Sequence, residues 1–80
     1  MDLTKLTEHL VKSLVSNIED VSVSSFQDEE GINIEVLVAD SDMSSVIGRS
    51  GACANAIRTI VQASSYIKDN KKVKINIDSF

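Results

Sequence analysis

Proline and tryptophan are absent from this 80-residue chain, and it holds only three glycines, three aromatic residues and one cysteine. Without proline, and with glycine confined to positions 31, 48 and 51, no linker, repeat or low-complexity stretch divides it. The lone Cys53 excludes an internal disulfide and suits a reducing compartment, where its expected role is that of a small buried residue. No run approaches the roughly 20 apolar residues of a membrane helix. No basic-then-apolar leader follows Met1, so a cytoplasmic protein is expected. His9, the single histidine, has no second histidine or cysteine partner with which to hold a metal and reads as a solvated side chain. Neither metal nor cofactor is expected. An apolar fraction of 42% suits one small packed domain spanning 1–80.

The net charge of −4 argues against a polyanion partner until it is divided by position. Residues 1–42 carry Lys5 and Lys12 against ten acidic residues, a net of −8. Residues 43–80 carry Arg49, Arg58, Lys68, Lys71, Lys72 and Lys74 against Asp69 and Asp78, a net of +4. It is local potential, not whole-chain charge, that steers a ligand, so a basic half points to a polyanion unless folding interleaves the halves.

Leu3, Leu6, Leu10, Val11, Leu14 and Ile18 recur at helical spacing and predict an amphipathic helix over about 2–17, with Asn17 as its stop. Val21 and Val23 alternate with serines in a short strand that extends towards Phe26. Gln27-Asp28-Glu29-Glu30-Gly31 reads as an acidic, solvated hairpin turn. Ile32, Ile34, Val36 and Val38 predict the clearest strand. Its second face turns apolar at Leu37 and Ala39, which should therefore be covered. Asp40-Ser41-Asp42 is rich in N-cap residues and opens a short helix over about 42–47. Ala54, Ile57, Ile60, Val61, Ser64 and Ile67 continue as a helix to about residue 69. Asp69-Asn70-Lys71-Lys72 is a turn, and Val73, Ile75 and Ile77 alternate in a last strand. The order is α-β-β-α-α-β, an α+β unit.

Between the two later helices lies Gly48-Arg49-Ser50-Gly51. A glycine carries no Cβ to hold a ligand away from the main chain, so a phosphate backbone can approach closely here. The loop feeds a helix N-terminus, whose free N–H groups and dipole favour anions. Arg49 adds a mobile cation. A bare helix-loop-helix corner can hold the same glycines for turning alone, and the surrounding pattern decides between the two readings.

That pattern, Val46-Ile47-Gly48-Arg49-Ser50-Gly51 followed by Ile57, resembles the KH-domain signature, and the element order resembles its bacterial type II form. Length and the run Ile57-Arg58-Thr59-Ile60-Val61 resemble the small stand-alone KhpA, or YlqC, family. The resemblance covers essentially the whole chain. It implies a three-stranded sheet backed by three helices and a groove for about four unpaired nucleotides of single-stranded RNA. By position, Gly48, Arg49, Ser50 and Gly51 would hold the sugar-phosphate backbone, and Val46, Ile47, Ala54 and Ile57 would form an apolar floor. Val73, Lys74 and Ile75 would face that floor, with Lys71 and Lys72 flanking the strand and Arg58 nearby. Family proteins form homodimers and pair with a second KH-containing protein, KhpB. They are associated with post-transcriptional control and, in some bacteria, with cell-shape homeostasis. Where the family often has a basic residue after the second glycine, this chain has Ala52. Phe26, Tyr66 and Phe80 lie outside the loop segment, so stacking of bases on a ring platform is not expected.

Three functional classes are thereby ranked. An RNA-binding module of KH type comes first. A dimerising protein-interaction module with weak or no RNA binding comes second, favoured by net acidity and by the small residues Ala52, Cys53, Ala54 and Ala56. A nucleotide-hydrolysing enzyme is rejected: the glycine loop is too short for a P-loop and lacks its lysine, and Cys53 and His9 lie on separate elements with no reason to converge as a nucleophile and its base.

Overall fold

A computed structural model describes residues 2–80; Met1, the first residue of the expected domain, lies outside them. Three helices, α1 (Leu3–Lys12), α2 (Met43–Ile47) and α3 (Ala52–Lys68), combine with three strands, β1 (Ser22–Asp28), β2 (Gly31–Val38) and β3 (Val73–Ser79). The sequence order is the expected α-β-β-α-α-β, with additional single turns of 3-10 helix at Ile18–Asp20, Asp40–Asp42 and Arg49–Gly51. β2 lies at the centre of the sheet, antiparallel to β1 and parallel to β3. A parallel pair cannot be joined by a hairpin, and here α2 and α3 make the crossover.

The period-2 pattern of β2 sets which face is buried. Ile32, Ile34, Val36 and Val38 are all buried, and the register places Val23 of β1 and Ile75 and Ile77 of β3 on the same face. Leu3 and Val11 of α1, Val46 of α2, and Ile57 and Val61 of α3 close over it. The core is wholly aliphatic: Phe26, Tyr66 and Phe80 are 60%, 53% and 71% exposed. The other sheet face carries exposed Ser24, Phe26, Glu35, Lys74 and Asn76. Leu37 and Ala39, expected to be covered, are only half-buried, because all three helices lie on the opposite side.

The N-terminal helix is shorter than its apolar spacing predicts. It opens with the Asp2 carboxylate accepting from the Thr4 N–H at 2.8 Å and closes at Lys12 instead of near residue 17. Leu14 is 36% exposed and Ile18, now in a 3-10 turn, 52%. Thr7, polar by sequence, is fully buried because its Oγ1 donates to the Leu3 carbonyl at 2.8 Å, which satisfies the hydroxyl inside the helix.

The cause of the early stop is Asp42. Its side chain caps no helix N-terminus of its own. Instead the carboxylate accepts from the backbone N–H groups of Ser16 and Asn17 and from the Asn17 side-chain amide, each at 3.0 Å. Asp42 is itself buried, and the segment after α1 is thereby pinned to the start of α2. These donors, the Ser16 N–H foremost, hold the carboxyl below the usual aspartate range.

A lowered folded-state pKa gives stability that is complete above the unfolded value and is lost as pH falls through the folded one. Asp42→Asn is therefore expected to melt below the native chain at neutral pH. The gap should begin to narrow as pH falls past the ordinary aspartate value of about 3.9 and close only below the lowered folded-state value, where the native carboxyl is protonated as well. Melting curves of both proteins across pH test this. A gap that is independent of pH would remove the ionised carboxylate from the account.

Candidate nucleic-acid interface

The loop expected to meet a phosphate backbone is built from three departures from ordinary backbone within four residues. Gly48 sits at φ 75°, ψ −179°, Ser50 at φ 55°, ψ 29° and Gly51 at φ 78°, ψ 12°. The glycines do different things. A Cβ on Gly48 would lie 2.7 Å from Cys53 Sγ and 2.9 Å from the Cys53 nitrogen, so the missing side chain lets the loop press onto the first turn of α3. A Cβ on Gly51 would meet nothing nearer than Asn55 Nδ2 at 3.8 Å, so that position opens outward. Ser50 is the left-handed residue that sequence reading missed, since serine does not announce such a conformation as glycine or asparagine does.

Arg49 and Ser50 form the exposed tip, and the Arg49 side chain makes no hydrogen bond or ion pair among the described residues. Behind the tip, Val46, Ala54 and Ile57 are buried. They join α2 to α3 and support the floor from beneath, leaving Ile47, 37% exposed, as the one of the four expected floor residues with a sizeable free surface.

The exposed lining lies further along α3. Asn55 receives a long 3.4 Å hydrogen bond from Arg58 Nη1, and Arg58 Nε donates at 3.4 Å to the Ile75 carbonyl on the outer edge of β3. Gln62 does the same one turn on, accepting from the Val73 N–H at 2.9 Å and donating to the Lys71 carbonyl at 3.1 Å. Ser65 Oγ adds a 2.7 Å bond to that carbonyl. An edge strand left bare is a template for unwanted pairing, and Arg58 and Gln62 blunt this one. Between α3 and this edge runs an open groove of about 720 Å³. Arg58, Val73, Lys74 and Ile75 of the expected site line it, joined by Thr59, Gln62, Ala63, Tyr66 and Asn76, which the motif did not indicate. Their signal was the helical spacing of 55, 59, 62 and 66, one stripe of α3 that begins at the loop.

The remaining lysines are placed differently. Lys71 Nζ reaches across to Gln27 Oε1 at 3.1 Å. Lys72 and Lys74 border a cleft of about 60 Å³ shared with Asp28 and Glu30. The Asp28 carboxylate, held below its usual range chiefly by the Asn33 amide and then by the Glu30 N–H, shares that cleft with Glu30, so the two lysines there face two carboxylates. The cleft thus offers an anion no excess of positive charge, and the loop with the α3–β3 groove is the candidate site.

The loop's two glycines are expected to respond unequally to alanine. Gly51→Ala costs only the left-handed backbone, about 1 kcal/mol. Gly48→Ala costs more, about 2–4 kcal/mol in total, because its backbone lies in a region essentially confined to glycine and Cys53 must also be displaced. Urea midpoints of the two variants test this, and equal losses would refute the packing role of Gly48.

The KhpA/KhpB KH-domain family model matches residues 4–77. A protein of Clostridium perfringens described as RNA-binding protein KhpA is 47% identical over 75 residues, covering 94% of this chain and 99% of its own. Proteins of the same description from Clostridium acetobutylicum and Streptomyces coelicolor are 41% identical over 94% of this chain and 46% identical over 76% of it, covering 99% and 77% of their own lengths. A three-stranded mixed sheet with three helices on one face, a glycine loop between α2 and α3, and a match over nearly the whole length agree: the chain belongs to the KhpA/KhpB KH-domain family.

Proposed function

We propose that this chain binds single-stranded RNA, with Gly48, Arg49, Ser50 and Gly51 against the sugar-phosphate backbone and unpaired bases in the groove between α3 and β3. The observation that carries the reading is the continuity of loop and groove. Gly51 opens towards Asn55, Asn55 meets Arg58, and Arg58 reaches the edge of β3, so a strand entering at the loop is led along one stripe of α3. Relatives described as RNA-binding support it. Phosphate contacts position such a strand, and base contacts supply whatever preference exists.

Few cations face the groove, so affinity per domain is modest, and linking two domains raises it through effective concentration. Ile60 and Ile67, 45% and 89% exposed on a neighbouring face of α3, support pairing with a second copy or with a KhpB-like protein. In this reading the chain acts as a cytoplasmic RNA chaperone or post-transcriptional regulator and not as an enzyme. The same isoleucines favour a second reading, a dimerising interaction module with little RNA binding of its own, which RNA-binding measurements decide.

Replacing Arg49 and Ser50 together by aspartate sets two negative charges at the phosphate position. Aspartate tolerates the left-handed backbone of position 50 better than most residues, so the turn is kept. Binding is expected to fall about tenfold or more, about 1.4 kcal/mol, with little change in melting temperature. Unchanged affinity in this variant would refute the loop's role.

Strandedness tests the groove itself. An unstructured oligoribonucleotide of about 4–8 residues is expected to compete for binding, and a perfect duplex of the same sequence is not, because its base edges are hidden. A duplex that competes equally at matched salt would mean that the groove takes no bases.

A further inference from the structure

All three aromatic rings lie outside the core, but only one of them faces the groove. Phe26 stands on the helix-free face of the sheet and Phe80 ends the chain. Tyr66 borders the groove with Gln62 and Ala63 of α3 and Val73 of β3, and its hydroxyl has no hydrogen-bond partner among the described residues. The polar groups around it are already committed. Gln62 and Ser65 are bonded to the turn before β3, and the Val73 N–H is bonded to Gln62. What this end of the groove still offers a ligand is apolar surface and a half-exposed ring.

We propose that Tyr66 is a stacking platform for one unpaired base, at the end of the groove remote from the glycine loop. From Asn55, next to the loop, to Tyr66 the helix rises about 16 Å, so a strand held at both places spans the groove. Recognition here is tolerant of sequence, because every base has a π-face while the nearby hydrogen-bonding groups are occupied. The proposal rests on the RNA-binding reading and revises the expectation that no base stacks on a ring: Tyr66 lies outside the loop segment in sequence but borders the groove in the fold.

The chain carries one tyrosine and no tryptophan, so its intrinsic fluorescence reports on Tyr66 alone. Oligoadenylate and oligouridylate of about eight nucleotides serve as probes. Binding is followed by anisotropy of end-labelled RNA, and tyrosine emission is followed with unlabelled RNA, using free tyrosine amide to correct for absorption. The expected result is saturable quenching with the same Kd as the anisotropy, larger for oligoadenylate. Tyr66→Phe should bind within about threefold of the native chain, whereas Tyr66→Ala and Tyr66→Leu should weaken binding roughly 5- to 150-fold with melting temperatures kept. Binding without quenching, or Tyr66→Leu binding as the native chain does, overturns the stacking role and leaves RNA binding intact. Absence of binding by either probe overturns both.

Discussion

β2 is hydrogen-bonded along both edges and buried on one face, and the location of every other element follows from that. Because β1 takes one edge as a hairpin and β3 takes the other in parallel, the chain has to cross from the end of β2 back to its start. The crossover is α2, the glycine loop and α3, and it has to lie on the buried face, where Ile32, Ile34, Val36 and Val38 await cover. The sheet is thus left with a free outer edge on β3, alongside α3. A groove between a helix and a strand edge is the geometric consequence of closing a three-stranded mixed sheet with helices on one face only.

Within that frame the crossover must turn sharply between two helices without an intervening strand. Gly48 lies against Cys53 with no room for a side chain, so α2 and α3 meet at van der Waals contact and the turn is rigid on its inner side. Its outer side, Ser50 and Gly51, is left-handed and open. The anchoring of Ser16 and Asn17 by Asp42 at the other end of α2 completes the support. A five-residue helix held at both ends in this way keeps the loop in one place, which a site that recognises a backbone by shape requires.

The strands, the two later helices and the glycine loop were legible from periodicity and spacing, because burial on one face repeats every second or every three to four residues. Three features were not. The end of α1 at Lys12 and the 3-10 turn that follows at Ile18–Asp20 are tied to Asp42, about 25 residues away, and no local window contains that contact. Buried Thr7 reads as polar because its satisfying acceptor, the Leu3 carbonyl, is main chain and leaves no mark in the sequence. Of the groove, the motif indicated the loop and part of the β3 edge. Thr59, Gln62 and Tyr66 belong to the α3 stripe that becomes meaningful only once β3 is known to lie beside it.

The charge division of the sequence has a similar fate. The basic second half does not gather on one surface. Lys71 is turned to Gln27, and Lys72 and Lys74 stand beside the acidic hairpin at Asp28 and Glu30. Folding therefore cancels part of the field that the linear sequence implies, and it leaves Arg49 at the loop and Arg58 at the β3 edge as the cations of the candidate site. A domain with so weak a field cannot rely on long-range attraction to a polyanion. What it has instead is short-range: an outward-facing loop backbone where Gly51 carries no side chain, an apolar groove and a fixed strand edge. Such contacts act only on a chain whose backbone and bases are both accessible, which is why the function proposed above is binding of unpaired nucleic acid and not of a duplex.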